Sequence, residues 1–201
     1  RLKAIDLYSG IGGWSLGFEI AGVDICASYE WWEPANKTHQ SNLDVETHQI
    51  DIRGLLLSDL PTEIDFVVGS PPCTQFSYSN RGGSGDIEDG LLDIKKFLGV
   101  VRHINPTCWA MENVPRVANV LRKELRIGGQ LEEYCDLLDM NMIHVYDFSD
   151  FGLPQKRKRC IAGKFDHKLL ESYRASCRRK TLGQVLSVLS KPKISDPNYR
   201  L

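Results

Sequence analysis

Short apolar runs rich in β-branched and aromatic residues recur along the chain and predict β-strands. Seven such runs are found, at Lys3–Tyr8, Asp24–Tyr29, Thr47–Ile50, Ile64–Gly69, Cys108–Glu112, Met142–Phe148 and Arg159–Phe165. Stretches with helical spacing lie between most of them, at Trp14–Ala21, Glu33–Asn42, Leu91–Ile104 and Val117–Met140. This alternation is typical of an α/β protein whose parallel sheet carries helices on both faces.

The last two predicted strands have a different connection. The segment Ser149–Lys158 between them is too short for a crossover helix, and it contains Gly152 and Pro154. We therefore predict that these two strands pair as an antiparallel hairpin at one edge of the sheet. The predicted fold class is α/β, a doubly wound, Rossmann-like sheet of seven strands with the last strand antiparallel.

Length and cysteine usage limit the class of protein further. A chain of 201 residues can bury a full core, and no apolar run in it approaches the length of a membrane span. The N-terminus has no signal-peptide pattern, and the six cysteines form no C-x-x-C pair. We expect reduced thiols, no metal and no membrane. The predicted location is the cytoplasm, or the nucleus in a eukaryote, and not the secreted fraction.

The charges are distributed unevenly along the chain. From Lys156 to Leu201 there are 13 Lys and Arg against 3 Asp and Glu, whereas residues 1–155 hold 12 basic and 23 acidic side chains. A basic segment of this kind favours a polyanion as partner, although many charged stretches are only solvated surface. Charge alone leaves this choice open.

One cysteine, Cys73, lies in an unusual setting. A predicted strand leads into Ser70-Pro71-Pro72, and the two prolines keep the chain stiff and non-helical just before the thiol. In an open α/β sheet, ligands bind beyond the carboxyl ends of the strands, where this thiol would lie. A free cysteine is more often a small buried apolar residue. That description fits the five others: Cys26, Cys108, Cys135, Cys160 and Cys177. We interpret Cys73 as the candidate nucleophile.

The turn after the first predicted strand is rich in glycine. Its sequence is Asp6-Leu7-Tyr8-Ser9-Gly10-Ile11-Gly12-Gly13, and such glycines let a ligand approach the backbone. Glu30 ends the second strand as an acceptor for a ribose, Trp31 could cover an adenine, and Asp51 could accept from its amino group. Together these residues describe a nucleoside pocket. Since no Walker-type Lys-Ser/Thr follows the glycines, we predict an adenosine without a polyphosphate, which indicates S-adenosylmethionine.

Two further clusters complete the candidate site. The fifth predicted strand ends in Met111-Glu112-Asn113-Val114. In a doubly wound sheet this strand lies next to the fourth, so Glu112 should lie near Cys73. The seventh predicted strand is introduced by Gln155-Lys156-Arg157-Lys158-Arg159. Because side chains alternate between the two faces of a strand, Arg157 and Arg159 lie on one face.

With these motifs in this order, the chain from about Lys3 to Phe165 resembles the C5-type cytosine DNA methyltransferases. The resemblance implies double-stranded DNA as partner and S-adenosylmethionine as cofactor, with S-adenosylhomocysteine as product. It implies these cofactor-binding residues: Asp6, Tyr8, Gly10, Gly12, Glu30, Trp31, Asp51, Ile52 and Pro72. It also implies that Cys73 attacks the base, Glu112 contacts its N3 and amino group, and Asn113 braces the Pro-Cys turn. Arg157 and Arg159 would orient the cytosine and the backbone.

This chemistry explains the residue types. A thiolate that attacks C6 of cytosine makes C5 able to take the sulfonium methyl, and a nearby Arg157 or Arg159 would favour the thiolate. A protonated Glu112 would stabilise the negative charge that develops in the ring. Because C6 is unreachable inside a duplex, the base must be flipped out, and we expect residues Ser79–Gly90 to form a flexible loop that closes over it.

The resemblance is incomplete at two places. Thr74 follows the nucleophile where the family often has Gln, and the sequence-reading domain and C-terminal Asn-Ser motif are absent. We predict a catalytic domain at 1–180, then a linker at 181–201 that begins with a short helix at Thr181–Leu186, and a second polypeptide as the source of the missing parts. The alternatives are an RNA cytosine-5 methyltransferase and a non-catalytic nucleic-acid-binding relic of the fold.

Overall fold

The computed structural model describes residues 1–72 and 87–189. Its strands are β1 (Lys3–Leu7), β2 (Asp24–Glu30), β3 (Thr47–Gln49), β4 (Phe66–Gly69), β5 (Cys108–Asn113), β6 (Ile143–Asp147) and β7 (Lys158–Lys164). Its α-helices are α1 (Gly13–Ile20), α2 (Glu33–Asn42), α3 (Ile87–Ile104), α4 (Arg116–Glu124), α5 (His167–Ser176) and α6 (Leu182–Leu186). Within these residues the strands form one sheet in the order β3-β2-β1-β4-β5-β7-β6.

The centre of the sheet is built by β1, which pairs in parallel with β2 on one side and with β4 on the other. Its apolar residues are fully buried, because layers of structure cover both sheet faces, and they join one continuous core. The register aligns Leu7 with Gly69, and Gly69 with Met111. The carboxyl ends of β1, β4 and β5 therefore meet at one edge of the sheet.

The last strand runs against the others, as predicted. β7 is antiparallel to β5, with Glu112 opposite Ile161 and Asn113 opposite Cys160. Because of this reversal, the beginning of β7 lies beside the end of β5, so Arg159 reaches the edge where the parallel strands end. β6 lies beyond β7 at the border of the sheet. The predicted α/β fold class with its antiparallel last strand is confirmed.

The chain divides into two compact units. The first comprises Arg1–Tyr146 and Arg159–His167, and it contains the buried core. The second comprises Asp147–Lys158 and the segment from Lys168 onward. Within the second unit, Asp150 accepts ion pairs from Arg174, at 2.5 Å, and from Arg179. The predicted boundary between residues 180 and 181 stays a prediction.

The predicted helix at Val117–Met140 is wrong in its second half. Helix α4 ends at Glu124, and the chain turns at Gly128, whose φ of +79° is left-handed. A Cβ at Gly129 would overlap the backbone of Glu124, so two glycines let the chain fold back against the end of α4. Between this turn and β6 the chain forms only short 3₁₀ turns, at Glu132–Tyr134 and Met140–Met142.

The helix predicted from Leu91 begins one turn earlier, at Ile87. Glu88 and Asp89 lie in its first turn, where negative charge stabilises the amino end of a helix. Of the predicted loop at Ser79–Gly90, the last four residues are therefore helical, and the remainder lies outside the described residues. The short helix predicted at Thr181–Leu186 is confirmed, with Thr181 as its N-cap.

No helix within the described residues is both long enough and apolar enough to span a membrane.

We expect Gly163→Ala to destabilise the first unit by about 1–3 kcal/mol, the usual cost of forced overpacking. A Cβ there would overlap the carbonyl oxygen of Trp109 in β5, and backbone cannot move aside as a side chain can. Gly17→Ala in α1 is the control, since a Cβ there meets nothing within 4 Å and should stabilise the helix. Urea denaturation measures both, and equal stability of Gly163→Ala and the parent would contradict the expectation.

Candidate cofactor and catalytic site

The turn after β1 is held in conformations that favour glycine. Gly10 and Gly12 have left-handed φ values of +53° and +92°, and Tyr8 shares this region at +54°. Gly12 also lies directly against the ring of His39, which a Cβ would approach to 2.5 Å. His39 is fully buried in α2, and burial lowers its pKa. Glycine at position 12 is therefore required both by the backbone and by the packing.

The carboxylate of Glu30 fixes this turn to the end of β2. It accepts hydrogen bonds from the backbone N–H of Gly10 at 2.9 Å and from that of Trp32 at 2.8 Å. The carbonyl of Glu30 accepts from the Asn36 amide at 3.0 Å. Since both carboxylate oxygens already accept backbone donors, Glu30 organises the turn, and remaining lone pairs can serve a ligand.

A cavity of about 360 Å³ lies at this edge of the sheet. Its lining consists of Tyr8, Ser9, Gly10, Gly13, Trp14, Glu30, Trp31, Ser70 and Pro72. Five of these were predicted from the sequence as cofactor-binding residues: Tyr8, Gly10, Glu30, Trp31 and Pro72. The structure thus brings together the turns that follow β1, β2 and β4. Trp31 is 65% exposed, so its indole borders the cavity without being part of the core.

Four lining residues were missed by the sequence analysis: Ser9, Gly13, Trp14 and Ser70. The Trp14 Nε1 donates to the Ser70 hydroxyl at 3.1 Å, which joins the start of α1 to the turn after β4. The Ser9 hydroxyl is buried and has no hydrogen-bond partner within residues 1–72 and 87–189. The position of Ser70 directly after a predicted strand could have indicated its place in the site. For Ser9, Gly13 and Trp14 the sequence offers no signal except that they lie in or next to the glycine turn.

The remaining predicted cofactor residues do not belong to the lining that the described residues define. Asp51 caps the 3₁₀ turn Ile52–Gly54 and accepts from the Arg53 N–H at 3.0 Å, while Ile52 is buried in the core. Asp6 is buried below the glycine turn, where it accepts from the Ser15 hydroxyl at 2.8 Å. Burial raises the pKa of Asp6 to about 7.

The end of β5 provides the second part of the candidate site. The Asn113 amide donates to the carbonyl of Pro71 at 3.1 Å, and its oxygen accepts from the Val114 N–H at 2.9 Å. Glu112, one residue earlier, forms an ion pair with the Arg159 Nε at 2.8 Å, and both side chains are partly exposed. Asn113 therefore fixes the turn that leads to position 73 beside a carboxylate and a guanidinium.

Two predicted catalytic residues are not joined to this cluster by the structure. Cys73 lies outside the described residues. Arg157 belongs to the second unit, where its backbone N–H donates to Asp147 at 3.2 Å and its carbonyl accepts from Phe148 at 3.0 Å. The catalytic roles of Cys73, Arg157, Arg159, Glu112 and Asn113 stay predictions.

The other cysteines differ in exposure. Cys160 in β7 is buried beside Asn113, and burial raises the pKa of its thiol to about 12, so it remains a protonated core residue. Cys26, Cys108 and Cys177 are half-buried. Cys135 is exposed just after a 3₁₀ turn, so its predicted burial is wrong: it follows from the helix that ends early. Within the described part of the chain, no group of three or more His, Cys, Asp or Glu could hold a metal ion.

A seven-stranded sheet of this topology, with a glycine turn after β1 and a Pro-Pro turn after β4, has the Rossmann-like fold class of the methyltransferases. The family model for C-5 cytosine-specific DNA methylase matches residues 2–194. The chain belongs to this family.

Curated relatives agree with the assignment. The chain is 33% identical over 170 residues to the Type II methyltransferase M.HindV of Haemophilus influenzae, covering 82% of this chain and 54% of M.HindV. It is 32% identical over 172 residues to M.AquIA of Picosynechococcus, covering 78% of this chain and 69% of M.AquIA. The chain spans about half the length of the first relatives it matches.

Solved structures support the fold. A DNA modification methyltransferase encoded within an E. coli prophage superposes with a TM-score of 0.63 at 28% identity, covering 81% of this chain and 46% of that one. A DNMT2 from Spodoptera frugiperda superposes with a TM-score of 0.61 over 96% of this chain and 61% of that one. At 20% identity the second likeness concerns the fold alone.

Buried Asp6 predicts a dependence of stability on pH. Its pKa of about 7 in the folded chain exceeds the unfolded value near 4, so folding favours the protonated form. Its contribution to stability is complete below about pH 4 and is lost as the pH rises through about 7. We therefore expect Asp6→Asn to gain stability relative to the parent between pH 5 and 8, by an amount on the order of a few kcal/mol.

Urea denaturation at several pH values measures this gain. Asp24→Asn, which alters an exposed ion pair with Arg1, is the control and should show no such trend. A pH-independent difference between Asp6→Asn and the parent would show that Asp6 stays ionised in the folded chain.

Proposed function

We propose that this chain is the catalytic part of a DNA (cytosine-5)-methyltransferase that transfers a methyl group from S-adenosylmethionine to C5 of a flipped-out cytosine. The observation that carries the proposal is the hydrogen bond from the Asn113 amide to Pro71, beside the Glu112–Arg159 pair. It fixes the Pro-Pro turn that, along the chain, leads directly to Cys73. The family match supports the same activity.

The cavity fits the proposed cofactor. Its polar groups are neutral or acidic: the buried Ser9 hydroxyl without a described partner, the backbone of the glycine turn and the Glu30 carboxylate. Glu30 would accept from the ribose hydroxyls, and the exposed Trp31 indole offers a flat face to the adenine. When bound, the cofactor supplies an electrophilic methyl group on a sulfonium. The lining residues that belong to 1–72 and 87–189 include no Lys or Arg, which suits this cation and disfavours a phosphate.

The proposed reaction uses groups of this chain at each step on the base. The Cys73 thiolate forms a bond to C6 of cytosine, and the electron pair moves into the ring so that C5 can take the methyl. The protonated Glu112 carboxyl group donates to N3, where negative charge develops, and its Oε1 accepts from the exocyclic amino group and from the Arg159 Nε. A solvent water then takes the proton from C5, the electron pair of that bond re-forms the C5–C6 double bond, and the Cys73 thiolate leaves C6, which restores the aromatic ring.

The proposed substrate is double-stranded DNA, and the proposed setting is restriction–modification, since the relatives are named Type II methyltransferases. The basic segment from Lys156 onward would contact phosphates, which position a duplex without reading its sequence. We propose that the sequence-reading part and the C-terminal motifs come from a second polypeptide.

The test is a covalent trap. DNA containing 5-fluorocytosine should form a denaturation-resistant adduct with the chain in the presence of cofactor, because fluorine at C5 blocks the final elimination. The assay is run with and without a C-terminal polypeptide from a relative, and adduct formation should require Cys73. An adduct unchanged in Cys73→Ser would refute the assignment of the nucleophile, and an adduct formed only with fluorinated RNA would favour the RNA alternative.

Two substitutions should separate the cofactor pocket from the base pocket. Glu30→Gln should weaken S-adenosylhomocysteine binding by about 1–3 kcal/mol. The two Glu30 oxygens accept from the backbone N–H groups of Gly10 and Trp32, and the NH₂ group of glutamine would face one of these donors without accepting from it. Glu112→Gln should leave cofactor affinity near the parent value and slow methyl transfer. Calorimetry and single-turnover transfer of tritiated methyl measure the two effects. A Glu112→Gln variant that mainly loses cofactor affinity would contradict this division.

A further inference from the structure

The guanidinium of Arg53 is fixed to helix α3 by several hydrogen bonds. Its Nε and Nη2 donate to the two carboxylate oxygens of Asp93 at 3.0 and 2.7 Å. Its Nη1 donates to the Asp89 carboxylate at 2.9 Å, and its Nη2 also reaches the Asp89 carbonyl at 3.1 Å. A planar fork that binds one carboxylate with two nitrogens fixes orientation as well as distance.

Asp93 is shared with the glycine turn. The Tyr8 hydroxyl donates to the Asp93 carboxylate and to its carbonyl, each at 3.2 Å. Burial, with Asp93 nearby, raises the pKa of Tyr8, so the phenol keeps the proton that it donates. Tyr8 lines the cavity and has a left-handed backbone, a costly conformation for a non-glycine residue that its neighbours must hold.

The backbone of Arg53 belongs to the 3₁₀ turn Ile52–Gly54, which follows β3. Its N–H donates to the Asp51 carboxylate at 3.0 Å, in the turn where Ile52 is buried in the core. Arg53 thus connects the turn after β3, the turn after β1 and the first two turns of α3. In sequence, α3 directly follows the segment 73–86, which contains Cys73.

These contacts differ from an ordinary surface ion pair. The Asp93 side chain is only 9% exposed, so an unpaired charge there would be costly, whereas exposed pairs contribute little. The Arg53 guanidinium places a hydrogen-bonded cation against both oxygens of this buried carboxylate. Lysine could supply the charge but could not bind both carboxylates through a fork.

We propose that Arg53 is a positioning residue that couples the cofactor pocket to the amino-terminal turns of α3. It acts through Asp51 and Tyr8 on one side and through Asp89 and Asp93 on the other. This inference rests on the proposed function, since it assumes that the cavity takes the cofactor. Coupling is reciprocal, so a bound cofactor should stabilise residues Ile87–Asp93, and a disordered start of α3 should weaken cofactor binding.

The test uses the full chain, with S-adenosylhomocysteine as the probe, calorimetry for affinity and hydrogen–deuterium exchange for residues Ile87–Asp93. In the parent, the probe should slow exchange in these turns. Arg53→Gln should weaken the probe by roughly 5- to 50-fold and abolish the slowing, and Arg53→Lys should recover part of each. Arg102→Gln is the matched control, because Arg102 pairs with Asp136 and the Glu133 carbonyl from the last turn of the same helix.

A double variant distinguishes coupling from an orphaned charge. Arg53→Gln with Asp93→Asn removes the guanidinium and the carboxylate together, leaving an acceptor for Tyr8. If coupling is correct, the double variant stays weak in affinity and its α3 exchange stays insensitive to the probe. If it regains parent affinity, the loss in Arg53→Gln came from the stray charge and the proposal is wrong.

The remaining outcomes separate this inference from the proposed function. Parent-like affinity and parent-like slowing in a folded Arg53→Gln would overturn the coupling alone. Failure of the parent chain itself to bind the probe would overturn both. Should Arg53→Gln fail to fold, as judged by circular dichroism, the exposed partner is changed instead. Asp89→Asn should then reduce the slowing of exchange at Ile87–Asp93 while Arg102→Gln does not.

Discussion

The close approach of β1 and β4 at their carboxyl ends is the constraint on which the rest of the site depends. A Cβ on Gly69 would overlap the Leu7 carbonyl oxygen, and the next residue, Ser70, donates its N–H to that same oxygen at 3.1 Å. Only glycine lets the two strands end this close together. As a result, the glycine turn and the Pro-Pro turn leave the sheet side by side. Both turns line the cavity, and the Pro-Pro turn also leads to the candidate nucleophile, so the proposed methyl donor and base would meet here.

Much of the fold could be predicted because each element carries its own local signal. The bounds of α2 agree with the prediction at both ends, and the reversed β7 followed from a connection too short for a crossover helix. The predicted helix that continues past α4 is wrong because Gly128 and Gly129 interrupt the helical spacing, and two adjacent glycines favour a turn. The late start assigned to α3 came from treating Gly90 as a loop residue, although it is buried within the helix.

The site was predictable only where function depends on position after a strand. Glu30, Trp31 and Pro72 follow strand ends, and all three line the cavity. Asp51 also follows a strand end but is used within the fold as a cap, and Asp6, which lies inside β1, accepts from Ser15. Contacts such as that of Arg53 with Asp93, 40 residues apart, depend on how the elements pack and leave no local pattern. No periodicity could have indicated them.

The order of strands in the sheet also has a consequence for synthesis. β7 lies between β5 and β6, although β6 precedes it in the chain. While the polypeptide is being made, β6 emerges before β7, the strand that must lie between it and β5. β6 therefore cannot reach its final place until β7 has been added. During that interval β5 presents an open edge, and unpaired edges are where strands of other chains attach. The last strand thus completes the sheet and ends a period of vulnerability to aggregation, at the moment when it delivers Arg159 to Glu112.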